Sequence, residues 1–275
     1  MKFAICNELF EDWPHDRVCA FLAQCGYEGV EIAPFTLGPR ADQVPTESRE
    51  YVRRCTEDYG LSVVGLHWLL ARTEGLHLTC ADEHVRASTA AYLAELARLC
   101  YDLGGRVLVF GSPQQRNLEP GITKQQGMKW AAEVFQSLTP VLDRYDLVLA
   151  VEPLSPRETN FLNTCAEAWE LIEMIGHPRV KLHLDVKAMS TESTPIPALI
   201  RRWGRHAVHF HANDSNLSGP GFGDIDFVPI FDALLEIGYS GWVSVEVFDF
   251  RPGPEVIARR SLEYMKDCLR KLGAE

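Results

Sequence analysis

Glu152, Asp185, His211 and Glu246 are side chains of the types that share a cation or trade protons. Each closes, or nearly closes, a short run of aliphatic and β-branched residues: Leu147–Glu152, Val180–Asp185, Ala207–His211 and Trp242–Val247. Successive side chains along a strand point to opposite faces. Leu147, Leu149 and Val151 claim the apolar face of the first run and turn Glu152 the other way. Val180, Leu182 and Leu184 do the same for Asp185, Val208 and Phe210 for His211, and Val243, Val245 and Val247 for Glu246. Three carboxylates and an imidazole drawn to one spot of low dielectric would repel strongly. Either one carboxyl keeps its proton or a cation joins the group. A divalent metal resolves the conflict directly. Mostly oxygen donors with one nitrogen suit Mn²⁺, Mg²⁺ or Co²⁺ better than a structural zinc. Mn²⁺ is the first expectation, with Mg²⁺, Co²⁺ and Zn²⁺ as alternatives.

These four runs belong to a longer series. Lys2–Cys6, Gly29–Ala33, Ser62–His67 and Arg106–Gly111 precede them, and helix-like stretches lie between, the clearest being Asp82–Leu103, Thr123–Tyr145, Thr164–Ile175, Phe227–Ile237 and Pro254–Leu272. Strands alternating with helices imply parallel pairing with right-handed crossovers. An open doubly wound sheet would begin with a phosphate-binding glycine turn after its first strand, where this chain has Asn7-Glu8-Leu9. Eight units in 275 residues therefore predict one domain over residues 1–275, an α/β (β/α)₈ TIM barrel. Such barrels place their chemistry at the C-terminal ends of the strands, where the four residues fall. Gly26, Gly60, Gly104, Gly176, Gly204 and Gly238 are expected as helix C-caps. Thr164 and Glu167 have capping-box spacing, and Pro195 and Pro254 suit first-turn positions.

The bulk composition excludes several classes of function. Hydrophobic residues at 46% and charged ones at 24% describe a globular chain able to bury a core. A net charge of −11 and the absence of a dense Lys/Arg block argue against nucleic acid as a partner. No apolar run approaches the ~20 residues that span a bilayer, which argues against a membrane. Met1-Lys2-Phe3-Ala4-Ile5 lacks the regions of a signal peptide. Eight scattered cysteines read as small buried hydrophobes and not as a disulfide frame. The expected location is the cytoplasm.

Other residues offer two readings each. His183, His209 and Ser244 lie two positions before proposed ligands and serve either as core residues or as groups that orient those ligands. His67, inward at the end of the third strand, is a candidate for reaching a substrate hydroxyl or for packing. Gly219–Gly223 reads as a loop over the pocket, with Phe222 as a shield, or as a plain turn. Gly111-Ser112-Pro113 leaves room beside the site, and Trp13, Phe35, Trp68 and Phe248 are candidates for its walls.

The chain resembles the xylose isomerase-like TIM-barrel superfamily of sugar phosphate isomerases and epimerases, and within it the ketose 3-epimerases typified by D-tagatose 3-epimerase. The segments carrying the resemblance are Val151-Glu152-Pro153, Glu158-Thr159-Asn160-Phe161-Leu162-Asn163-Thr164, Leu182-His183-Leu184-Asp185, His209-Phe210-His211, Gly223-Asp224-Ile225-Asp226 and Val243-Ser244-Val245-Glu246. It implies that Glu152, Asp185, His211 and Glu246 bind the metal and that Glu152 and Glu246 form the acid/base pair. It also implies that Glu158 contacts a small sugar or keto-sugar substrate. The implied reaction is proton abstraction next to a carbonyl, through an enediolate. Two departures stand out. Ala188 occupies the place of a substrate-binding histidine, and Asn213–Leu217 lacks the arginine of that loop, with Lys187 the nearest candidate for a substrate contact. These changes leave room for a lyase or dehydratase acting on a keto-sugar or inosose, which shares the first step. An abasic-site endonuclease would need more histidines than the chain offers, and a sugar-binding barrel without catalysis would need no opposed glutamates. Relatives of this fold often pair, so a homo-oligomer is compatible with the resemblance.

Overall fold

The structure is a computed structural model that describes residues 1–274. Eight parallel strands pair in sequence order and close into a barrel: β1 (Lys2–Cys6), β2 (Gly29–Ile32), β3 (Ser62–Leu66), β4 (Val107–Phe110), β5 (Val148–Val151), β6 (Val180–Asp185), β7 (Ala207–Ala212) and β8 (Trp242–Val245). The seam is the parallel pairing of β8 with β1, Lys2 against Trp242 through Ile5 against Val245. Around it run α1 (His15–Cys25), α2 (Thr46–Asp58), α3 (Glu83–Asp102), α4 (Lys124–Tyr145), α5 (Cys165–Ile175), the single turn α6 (Val186–Met189), α7 (Ile196–Trp203), α8 (Val228–Glu236) and α9 (Pro254–Lys271). The fold class expected from the alternation is the one observed.

Local chemistry explains most of the boundaries. Gly26, Gly60, Gly104, Gly176 and Gly238 all have positive φ just past a helix, as left-handed caps require. Gly204 does not. It keeps right-handed geometry at φ −61 and opens a 3₁₀ turn. The nearest atom to a Cβ added there would be the terminal Cδ1 of Ile237. Thr164 caps α5 by accepting from the Glu167 amide, while the Glu167 carboxylate reaches back to the Asn163 amide at 2.7 Å. Pro254 is the first residue of α9, but Pro195 stands one residue outside α7, whose first turn holds Pro197 instead.

Strand residues facing the helices, among them Phe110, Leu149, Val151, Leu182, Leu184, Phe210 and Val243, are buried in one continuous core. Inside the barrel, Val107, Val109 and Ala150 form a small separate apolar cluster. Val208 packs against this inner cluster, which overturns its expected place on the outer face. The cause is a bulge: Leu182 pairs with Ala207 but His183 pairs with His209, so Val208 is the extra residue. A second bulge lies in β3, where Gly65 crosses so close to β4 that a Cβ would sit 1.9 Å from the Val107 carbonyl oxygen. All eight cysteines are free thiols, seven of them buried. Among the described residues no helix is long and apolar enough to cross a membrane.

Candidate active site

Toward the C-terminal ends of β5 to β8 the barrel interior turns from apolar to ionisable. Glu152 follows β5 directly, Asp185 ends β6, His211 is the penultimate residue of β7, and Glu246 follows β8. All four are buried, Asp185 and His211 completely. Ligand atoms of Glu152, His183, Asp185 and His211 lie within 4.8 Å of one another, a spacing at which they could hold a metal ion. The fourth carboxylate adjoins this group, with Glu246 Oε2 3.2 Å from His211 Nδ1. His183 thus enters the cluster itself, its Nε2 3.7 Å from Glu152 Oε1. Sequence parity had set it one layer deeper.

The electrostatics show what such crowding costs. Burial drives the Glu152 carboxyl well above the usual range, and Glu246 and Asp185 add to the rise. Asp185 is pushed up to about 6, by burial first, against the opposing charge of Lys187. Burial also pushes Glu246 up, but His211, His67 and Lys187 together hold it below the usual range. Both ring nitrogens of His183 and Nδ1 of His211 are buried without a hydrogen-bond partner. Unpartnered imidazole nitrogens beside crowded carboxyls form the donor set that a divalent cation would satisfy.

Asn213, just past β7 and fully buried, ties the cluster together. Its Nδ2 donates to Asp185 Oδ2 at 2.5 Å and lies 3.5 Å from Glu246 Oε2, while its Oδ1 accepts from the Lys187 amide at 2.7 Å. Asp185 Oδ1 accepts from the Ala188 amide at 2.6 Å, so α6 holds its other oxygen. Arg116, fully buried, donates to the main-chain carbonyls of Glu152 and Leu162 at 2.6 and 3.2 Å and pins the turn that carries Glu152. Gly111 leaves the space that Glu152 fills: a Cβ there would lie 2.3 Å from Glu152 Oε2.

Beneath this layer Glu31, on β2 and fully buried, accepts at Oε2 from His209 Nε2 at 2.8 Å and His211 Nε2 at 3.2 Å. Burial raises its carboxyl, yet His209 and His211 hold it well below the usual range. His67 is paired with Glu8, Nε2 to Oε2 at 2.8 Å, and lines the slot above the cluster. Ser244 packs deeper still, its Oγ 3.6 Å from Cys6 Sγ. Glu8, Glu31, Arg116 and Asn213 were not singled out from the sequence. Parity could have found Glu31, because Val30 and Ile32 take the outer face and turn it inward. Glu8 and Arg116 come from irregular turns, where no period applies.

The mouth is built differently. Lys187 Nζ donates to Glu158 Oε1 at 2.6 Å and sits 3.9 Å over the Phe248 ring, and Ser155 Oγ holds the other Glu158 oxygen at 2.7 Å. Phe248 meets Trp68 edge-on, with ring centroids 6.0 Å apart. Trp68 and Ser112 carry positive φ without being glycine, a strained geometry that clusters at functional sites. On one side opens a cleft of about 550 Å³ lined by Phe35, Trp68, Arg72, Ser112 and Phe248. On the other, a cleft of about 1070 Å³ is bordered by Arg157, Glu158, Lys187, Thr191, Asn216 and Phe248. Trp13 is not a wall of the pocket; it packs on Phe10 and Phe21. Phe222 does not shield it either. Its ring lies 4.3 Å from the Arg260 guanidinium of α9, and Arg260 also holds the Gly221 carbonyl.

A closed parallel barrel with ionisable residues gathered at its strand ends defines a class of enzyme-bearing scaffold. The chain belongs to the xylose isomerase-like TIM barrel family, whose model matches residues 19–268. It is 27% identical over 259 residues to a probable ketose 3-epimerase of Synechocystis sp., covering 88% of this chain and 86% of that protein. It is 26% identical over 229 residues to D-psicose 3-epimerase of Ruminiclostridium cellulolyticum, covering 82% and 76% of the two chains. The crystal structure of D-psicose 3-epimerase with D-tagatose from Clostridium cellulolyticum superposes with a TM-score of 0.87 at 21% identity, over 98% of this chain and 99% of that one.

Proposed function

We propose that this chain is a divalent-cation-dependent epimerase of keto-sugars, with Glu152 and Glu246 as its acid/base pair. It is a sugar isomerase/epimerase, as its ketose 3-epimerase relatives are. The observation that carries the mechanism is the burial of Glu152, Asp185, His211 and Glu246 together at the C-terminal ends of four consecutive strands. These four residues are the proposed ligands, with His183 beside them. Mn²⁺ is the first choice of metal, and Mg²⁺, Co²⁺ and Zn²⁺ fit the same donors. A cation held there would supply Lewis-acid stabilisation of the charge that develops on a carbonyl oxygen as the neighbouring carbon loses its proton.

The remaining work falls to the chain's own residues. One glutamate removes the carbon-bound proton, and the other returns a proton to the opposite face. Paired carboxyls suit both tasks because each cycles between base and acid. Asn213 and Arg116 hold them in place, one through a side-chain contact with Glu246 and the other through the Glu152 carbonyl. Glu158, Lys187 and His67 line the slot above and are the proposed hydrogen-bonding partners of substrate hydroxyls. Phe248 and Trp68 wall the site and keep water from the reacting carbon.

A second reading, β-elimination from a keto-sugar or inosose, is favoured by one feature. Ala188 is buried beside Asp185 and offers no side-chain hydrogen bond on that side of the substrate. Both readings begin with the same proton removal. A keto-sugar and inosose screen in D₂O separates them, with metal supplied as Mg²⁺ or Mn²⁺ and chelated before NMR. Solvent deuterium at carbon with an epimeric product supports epimerisation, and loss of water supports elimination. No exchange with any keto-sugar would overturn both.

A further inference from the structure

We propose that Glu31 is a positioning residue that fixes the ring orientation of His211 and so sets the affinity of the site for its cation. The proposal builds on the metal reading above. Glu31 stands on β2, three strands around the ring from β7, and its side chain crosses the barrel interior to reach His209 and His211. Three donors converge on its Oε2: the two imidazole Nε2 atoms and, at 3.7 Å, Cys6 Sγ. An ionised oxygen suits so many donors. No lysine or arginine hydrogen-bonds or ion-pairs with Glu31 among the described residues, and the two imidazoles are its closest donors, with Cys6 and His67 also nearby. Its Oε1 is buried without any partner.

The consequence for His211 is geometric. With Nε2–H committed to Glu31, the opposite nitrogen, Nδ1, is the one that looks up at the carboxylates, 3.2 Å from Glu246 Oε2 and 4.0 Å from Glu152 Oε1. A ring flipped about its axis would lose the Glu31 bond and turn a carbon edge toward the cluster. His209 locks the arrangement from below, because it takes the same oxygen and its ring meets that of His211 at 79° with centroids 5.2 Å apart. A carboxylate behind a ligating imidazole also strengthens the nitrogen as a donor. Metal-ligating histidines commonly have such a partner, and losing it costs 10–100-fold in affinity.

The test compares wild type with Glu31→Gln and Glu31→Asp as full-length chains, reading Mn²⁺ affinity by competition with a fluorescent chelator. Zn²⁺-loaded, ¹⁵N-histidine-labelled samples report by NMR which nitrogen of His211 carries the proton. Glu31→Gln is expected to weaken Mn²⁺ binding about 10–100-fold while circular dichroism stays native. The low-field Nε2–H signal of His211 should be lost with it. Should the Gln variant not fold, Glu31→Asp, which keeps the charge but shortens the reach, gives the same two readouts with a smaller loss. A folded variant with wild-type Mn²⁺ affinity, or with weaker binding but an unaltered His211 Nε2–H signal, overturns the proposal. A wild-type chain that binds no Mn²⁺ would instead overturn the metal reading on which it rests.

Discussion

The floor and the mouth of the site are built on opposite plans. On the floor, Glu31, Asp185, His209, His211 and Asn213 are all completely buried, and short hydrogen bonds cross-link them between β2, β6 and β7. At the mouth, Lys187 and Glu158 pair at the edge of the larger cleft, and aromatic rings on loops, Phe248 among them, wall the openings. A floor of this kind fixes geometry, which cation binding and proton transfer demand. A mouth of this kind tolerates change, so members of one family can keep the chemistry and alter the substrate. The Asn213–Leu217 stretch crosses that division: Asn213 is part of the floor, while Ser215, Asn216 and Leu217 border the larger cleft.

Breaking the floor should cost most. Glu246→Gln is expected to lower turnover about 10²–10⁴-fold, the usual worth of a positioned acid or base, with the fold intact by circular dichroism. Wild-type turnover would remove Glu246 from the proposed pair. His211→Ala should empty the site, and metal analysis after gel filtration reads this directly. His183→Ala, measured alongside, decides whether the second imidazole ligates or only packs. Next comes Gly111→Ala. The new methyl would press on Glu152 Oε2 at 2.3 Å, displacing one carboxylate without deleting it. We expect kcat to fall about 100-fold, as for a 1 Å misplacement, with little change in Tm.

Effects at the mouth should be smaller and of another kind. Lys187→Met removes a charge-assisted hydrogen bond to Glu158 and should raise KM about tenfold, equivalent to ~1.4 kcal/mol, more than it lowers kcat. The reverse split would move Lys187 into the chemistry. The smallest effect is expected for Phe222→Ala, since that ring packs on α9 and not over the pocket. Steady-state kinetics should be unchanged, and a large loss of kcat would restore the loop as a lid.

Legibility in the sequence follows the same physical line. Strand period and apolar faces carry information wherever a regular strand runs toward the barrel mouth, which is why the inward facing of Glu152, Asp185, His211 and Glu246 was legible. Val208 escapes that rule, because a bulge inserts one residue and breaks the period. Glu31 carries the same signature on β2, where Val30 and Ile32 take the outer face. No strand period reaches Glu8 in the turn after β1, Arg116 in a 3₁₀ turn, or Asn213 just beyond β7. Such residues are placed by long-range contacts between loops, and no local pattern announces those. Gly204 shows the converse: its position after a helix predicted a left-handed cap, but its backbone stays right-handed, a geometry open to any residue.

The central claim is that two glutamates serve opposite faces of one carbon, and deuterium exchange in the single variants tests it most directly. Each epimer of a turned-over keto-sugar is incubated in D₂O with metal-loaded Glu152→Gln and, separately, Glu246→Gln. The account predicts that neither variant interconverts the epimers. Each should still exchange the proton of one epimer, and the two variants should retain opposite ones. Exchange of the same epimer by both variants, or undiminished interconversion by either, would contradict it.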